Sequence, residues 1–241
     1  RWSATTHRPP AGLSRERRSG SATRSRSPPA DAASRAAPDD LSAGTPEGDR
    51  VFEALLDYAA EAGAELIAYH ALNFPELGGR EAKLVRDRAA QEEDSLAHLL
   101  SRAQTLELTV ACENLAPVFP GSRRVCHDPL AVRDLVRRLD APAAGMLLDL
   151  GHLHVTADDD AASEAQIAAV CAPDVVLFHV HDNFGARRHA VQAPGVDPLR
   201  LDLHLAPGAG TLAWPRLAEI AGPHRAPLLL EVQPQHRPAL W

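Results

Sequence analysis

The residues of this chain that could do chemistry recur in one place, directly behind short apolar runs. ELIAYH closes on His70, ELTVACEN on Glu113 and Asn114, and GMLLDLGH on Asp149 and His152. VVLFHVHD holds His179, His181 and Asp182, and PLLLEV carries Glu231. A further pair, Asp202 and His204, lies in DLHLAPGAG. Carboxylate oxygens and imidazole nitrogens are ligands for Mn, Mg, Co and Zn. Several acids meeting in one pocket repel one another unless a cation neutralises them. The set contains no thiolate, which argues against a sulfur-dominated site. Burying a carboxylate without a partner is costly, so Glu113, Asp149 and Glu231 are the strongest candidates. A lone His70 is as readily a hydrogen-bonded strand-end residue. His154 is expected at the surface or behind a ligand. His127, His189, His224 and His236 lie in loops with no convergent partner.

These side chains need elements to position them. Thr45-Pro46 is a good cap and first-turn pair, and VFEALLDYAAEAG (51–63) repeats its apolar residues at helical spacing. Helical patterns also cover 81–105, 129–140 behind Asp128-Pro129, about 159–171, and 214–222. The five apolar runs, 65–70, 107–114, 145–152, 175–182 and 227–232, read as strands. They alternate with the helices, which is the signature of a parallel sheet built from βα units. A barrel and a doubly wound sheet both satisfy that order. No G-x-G-x-x-G or G-x-x-x-x-G-K-[ST] loop follows a strand, which disfavours nucleotide-binding versions. In a parallel β/α barrel the C-terminal strand ends converge on one mouth, where active sites form.

Composition narrows the function classes. The chain has 241 residues and a net charge of −7. Residues 1–36 hold eight Arg against Glu16 and Asp31, a balance of +6, which leaves −13 on the remainder. An acidic domain is poorly suited to gripping a nucleic acid backbone. Residues 1–44 are rich in Arg, Ser, Pro and Ala, and so poor in large aliphatic residues that disorder is expected. The three widely spaced cysteines, Cys112, Cys126 and Cys171, fit neither a disulfide framework nor a cysteine zinc site. They suit a reducing compartment, and a cytoplasmic location is expected. No apolar run reaches the ~18 residues of a membrane span. The chain starts at Arg1 and has one Met, Met146, so a fragment or processed product is expected.

CEN at 112–114, LLDLGH at 147–152, HVHDN at 179–183, DLHLAPGAG at 202–210 with Trp214, and LLLEV at 228–232 stand in a telling order. Over roughly residues 50–232 the chain resembles the sugar phosphate isomerase/epimerase family. These are xylose-isomerase-like TIM barrels, a group that also includes endonuclease IV. The resemblance implies an α/β fold, with 45–241 forming a (β/α) barrel domain of this type. It implies a divalent metal (Mn, Mg, Co or Zn) on Glu113, Asp149, His179 and Glu231. His179 is preferred over His181 because the family's ligand His stands three residues before the Asp, here Asp182. His152 matches a substrate-binding His of epimerases and a metal ligand of endonuclease IV. Asp202 and His204 match a D-x-H pair that serves another metal in that enzyme, and His70 matches one of its earlier histidines. His70, His152, His181, Asp202 and His204 are thus additional candidates for metal or substrate binding.

The implied reaction is isomerisation or epimerisation of a sugar, sugar phosphate or related hydroxy-carbonyl compound through an enediolate. Glu113 and Glu231 would be the catalytic pair that removes and returns the proton, with the metal as Lewis acid. A dehydratase or lyase on the same metal is a variant. A zinc-dependent AP endonuclease is the first alternative, opposed by the acidic balance. A truncated, non-catalytic barrel fragment is the second. It follows from a departure: a full barrel has eight βα units and five strands are read here, so the first strands are expected to be missing. Two open sheet edges would be a folding liability, and a homo-oligomer is one way to cover them.

Overall fold

The computed structural model describes residues 43–117, 124–157, 161–185 and 202–237. The proposed disordered segment, residues 1–44, lies almost wholly outside them, as does most of the loop between Asp182 and Asp202. Among the described residues five parallel strands pair in sequence order. They are β1 (Leu66–Tyr69), β2 (Thr109–Glu113), β3 (Ala144–Asp149), β4 (Val175–Val180) and β5 (Leu228–Leu230). Helices α1 (Pro46–Glu61), α2 (Ala82–Thr105), α3 (Pro129–Leu139), α4 (Leu150–Thr156), α5 (Ala161–Cys171) and α6 (Trp214–Ala221) alternate with them. This is the β/α order read from the sequence, and five consecutive parallel strands form the arc of a TIM barrel.

The helix starts follow capping chemistry. Thr45 Oγ1 accepts from Gly48 N at 2.9 Å, and Asp128 Oδ1 accepts from Leu130 N at 2.9 Å. Each satisfies a donor that the first helical turn leaves without an intrahelical partner. One element differs from the sequence reading. The strand expected over 145–152 ends at Asp149, and α4 begins at Leu150. Asp149 Oδ1 accepts from His152 N at 2.7 Å, so the carboxylate turns the chain from strand into helix.

The alternation of side chains along a strand sorts residues between two faces. Val110, Cys112, Met146, Leu148, Phe178 and Val180 join the large core beneath the helices. Ala111, Leu147 and Leu177 pack on the other face with Leu66, Ala68 and Val176. By the same alternation His70, Glu113, Asp149 and His179 fall on that second, concave face. On that face the apolar residues come first along the strands, and the polar tier comes last, at the strand C-termini. One buried acid belongs to the helix side instead. Glu92 of α2 is fully buried and accepts from Tyr69 Oη at 2.6 Å and from Leu72 N at 3.0 Å, so it ties α2 to the end of β1. Among the described residues no helix is long and apolar enough to cross a membrane.

Candidate metal centre

At the C-terminal mouth, three carboxylates surround one imidazole nitrogen. His179 Nδ1 lies 3.2 Å from Glu113 Oε1, 3.4 Å from Glu231 Oε2 and 3.7 Å from Asp149 Oδ2. Glu113, Asp149 and His179 are buried, and Glu231 is half-buried. The four come from β2, β3, β4 and the residue after β5. His179 and His181 share a strand parity, and it is His179 that stands level with the three acids, while His181 reaches only Asp149 of them. His70, just past β1, reaches Glu113 Oε2 at 3.2 Å from the more open side.

A second group lies beside the first. His152, His181, Asp202 and His204 each offer an atom within 4.8 Å of the others. His152 Nε2 is 3.5 Å from Asp202 Oδ2, and His204 Nε2 is 3.0 Å from the same oxygen. His181 Nε2 contacts Asp149 Oδ1 at 3.0 Å, and its ring stacks on His204 with centroids 3.9 Å apart. Asp149 therefore stands between the two groups. All nine residues singled out from the sequence meet in this one region.

The hydrogen bonds orient several of these rings for a cation. His152 Nδ1 lies 2.9 Å from Asn114 O, and His204 Nδ1 lies 2.8 Å from Glu231 O. A backbone carbonyl can only accept, so each Nδ1 carries the proton. In the neutral ring that leaves the Nε2 lone pair facing Asp202. A ligand histidine held through its other nitrogen is the usual arrangement at metal sites. His179 presents Nδ1 to the acids, while its buried Nε2 has no hydrogen-bond partner. Oxygen and imidazole donors together fit Mn, Mg, Co or Zn.

The electrostatics point the same way. Burial opposes ionisation of Glu113, but hydrogen bonds with His179 and His70 outweigh it and bring the pKa to about 2. Burial likewise opposes an ionised Asp149, yet His152 and His181 hold it below the usual carboxylate range. Burial should favour a neutral His179, but Glu113 and Glu231 lift its pKa to about 10. His152 is raised against its own burial by Asp149 and Asp202, and His204 by Asp202. The imidazoles thus serve as counter-cations for buried acids, which is the charge a bound metal would replace while releasing protons.

Several supporting residues have roles that the sequence does not show. Asn114 brackets Asp149: its Oδ1 accepts from Asp149 N at 2.9 Å, and its Nδ2 donates to Asp149 O at 3.1 Å. Asp182, which the sequence places at the end of the fourth apolar run without a role of its own, is fully buried. It accepts from Asn183 N at 2.9 Å, Gly208 N at 2.8 Å, Leu212 N at 3.1 Å and Trp214 Nε1 at 2.9 Å. It is the anchor of the segment bearing Asp202 and His204. A Cβ at Gly210 would stand 2.3 Å from Asp182 Oδ1, so only glycine lets the segment approach so closely. His204 takes a left-handed backbone, φ 50°, which costs about 1–2 kcal/mol for an L-residue. His154, expected at the surface or behind a ligand, is buried between Glu164 and Thr211.

The family model described as xylose isomerase-like TIM barrel matches residues 38–240. A D-tagatose 3-epimerase-like protein is similar in structure, with a TM-score of 0.61 and 18% identity, over 80% of this chain and 67% of that one. The IolI protein with a bound zinc atom has a TM-score of 0.58 and 13% identity, over 79% and 62%. The probable 3-DHS dehydratase AsbF from Bacillus anthracis has a TM-score of 0.58 and 12% identity, over 80% and 66%. The chain thus spans about two thirds of the length of these structures. A search of curated proteins returns no significant match.

Proposed function

Because the chain belongs to the xylose isomerase-like TIM-barrel family, we propose that it is a divalent-metal-dependent isomerase or epimerase of a sugar, sugar phosphate or related hydroxy-carbonyl compound. The observation that carries this reading is the convergence of Glu113, Asp149 and Glu231 on His179 Nδ1, at 3.2 to 3.7 Å. The similarity to an epimerase-like protein and to zinc-bound IolI supports it. Glu113, Asp149, His179 and Glu231 would hold the metal, whose bound form supplies Lewis acidity toward adjacent substrate oxygens.

The protein's own groups do the rest. Glu113 stays ionised at neutral pH, as a proton acceptor must, and Glu231 faces it across His179. One takes the proton from the reacting carbon and the other returns one. His70 orients the outer oxygen of Glu113. His152, His204 and Asp202 line the neighbouring wall, where they can bind substrate oxygens or a further cation. Asn114 and the N-terminal turn of α4 fix Asp149 so that the pocket does not rearrange when charge moves.

The test is turnover of a panel of ketoses and their phosphates by the Mn2+- or Co2+-loaded protein, followed by NMR in D2O. Deuterium should enter at the reacting carbon, and Glu231→Gln should abolish turnover. Retained activity in that variant would sink the assignment of Glu231. Loss of the proposed reaction alongside elimination of water would instead favour a dehydratase.

The second group of residues favours one other reading, metal-dependent cleavage of a phosphate ester such as abasic DNA. Its discriminating assay is chelator-sensitive nicking of an abasic duplex. The acidic balance of the chain weighs against it. Stoichiometric metal binding without turnover in either assay would leave the non-catalytic reading.

A further inference from the structure

The segment 202–212 supplies Asp202 and His204 yet belongs to no helix or strand. Ligands must be held to within about half an ångström to act, so something rigid has to fix it. One side is accounted for by Asp182 and by Asn183, whose Oδ1 accepts from Leu203 N at 2.6 Å and whose O accepts from Thr211 N at 2.9 Å.

The other side is fixed differently. Thr211 Oγ1 lies 2.9 Å from His154 Nε2, and His154 Nδ1 lies 2.6 Å from Glu164 Oε1. Glu164 and His154 are only 3% and 8% exposed, so this hydrogen-bonded chain runs through the interior from α5 across α4 to the segment. Glu164 can only accept when ionised, so it takes the Nδ1 proton and leaves Nε2 to accept from Thr211 in the neutral ring. Thr211 Oγ1 is also 3.4 Å from Asn183 O, a weaker alternative acceptor. The same short helix carries Asp149 as its cap, His152 in its first turn and His154 beyond it. Its front holds ligands, and its end holds the segment that faces them. An apolar contact could hold these elements together as firmly, but it would not set the rotation of the segment about its own axis. A directional bond to the Thr211 hydroxyl does.

We propose that Glu164, His154 and Thr211 form a positioning clasp that fixes the 202–212 segment, so that Asp202 and His204 face His152 and His181. His154 acts through Thr211 and touches no reacting group. Only the cation readout below rests on the function proposed above.

The test uses the whole chain with Thr211→Val, which keeps the shape and removes the hydroxyl, and Thr211→Ser, which keeps the hydroxyl. Amide hydrogen exchange of the metal-free proteins is read first. The clasp predicts that exchange across 203–212 rises about tenfold in Thr211→Val, the worth of one hydrogen bond, with little change in β2 or β3, and that Thr211→Ser restores protection. Unchanged exchange in that segment, an equal rise throughout the chain, or a Thr211→Ser variant as exposed as Thr211→Val would each overturn it. Titration with Co2+ alone is read second. Thr211→Val should weaken binding at the His152, His181, Asp202 and His204 group and spare the group around His179. If the wild-type protein binds no Co2+, the metal reading fails, while the exchange result still decides the clasp.

Discussion

Replacing Asp182 by Asn gives a sharp test of how the site is assembled. The carboxylate is fully buried and takes two N–H donors on each oxygen. Oδ1 serves Asn183 N and Leu212 N, and Oδ2 serves Gly208 N and Trp214 Nε1. An amide of the same shape keeps one acceptor oxygen and turns an NH2 group toward the other two donors. Whichever way it flips, two N–H groups lose their acceptor, either those of the buried Asn183 and Leu212 or the part-buried pair of Gly208 N and Trp214 Nε1. At about 1–3 kcal/mol for each unsatisfied donor, the loss is about 4 kcal/mol. For a domain of this size that is a fall in Tm of roughly 8–16 °C. Differential scanning calorimetry on the metal-free protein measures it. The loss should centre on 202–214, because all four donors lie there or next to Asp182, and hydrogen exchange in that segment should rise before the sheet opens. A Tm within about 2 °C of wild type would refute the claim that Asp182 anchors the segment.

Other outcomes follow from the same geometry. A Cβ on Gly151 would sit 2.2 Å from His181 Cε1, so Gly151→Ala must push the ring away by about 1 Å. Overpacking of that kind costs about 1–3 kcal/mol, and displacing a ligand's support weakens metal binding about 10- to 100-fold; unaltered Co2+ affinity would contradict it. In chelator-treated protein, the raised pKa of His179, about 10, gives stability that is full below its unfolded value near 6.5 and is lost as pH rises toward 10. The lowered Glu113, about 2, gives stability present above its unfolded value near 4.3 and lost as pH falls through 2. The metal-free Tm should therefore peak between about pH 4.5 and 6.5, and adding Mn2+ or Zn2+ should move the peak upward. A chelated protein most stable above pH 8 would contradict this. Saturating metal at 100 times its Kd should add about 2.7 kcal/mol to unfolding, read as a Tm increase that chelator reverses.

The strands and the polar tier at their ends were legible because two simple signals coincide. Apolar runs of strand length alternate with helical patterns, and the residue that breaks each run is an acid or a histidine. Those signals place Glu113, Asp149, His179, His181 and Glu231 at the strand ends, and the family resemblance is what groups Glu113, Asp149, His179 and Glu231 as one set. The start of α4 was not legible. LLDLGH reads as a continuing apolar run, and only the bond from His152 N shows that Asp149 ends the strand by capping a helix. The role of Asp182 is not legible because three of its donors come from residues 26 to 32 positions later, through backbone groups and one indole that no local pattern marks. Glu92 was hidden among the many charges of α2, where a buried carboxylate and a solvated one have the same letter. His154 was expected at the surface or behind a ligand, since its burial depends on α5 and the 202–212 segment folding over it.

The most direct test of the account is anomalous diffraction from crystals grown with Mn2+. The account predicts a peak among Glu113, Asp149, His179 and Glu231, with the ligand oxygens and His179 Nδ1 drawn in to roughly 2.0–2.4 Å. Those four side chains remaining as hydrogen-bonded ion pairs, with the peak elsewhere or absent at saturating Mn2+, would contradict it.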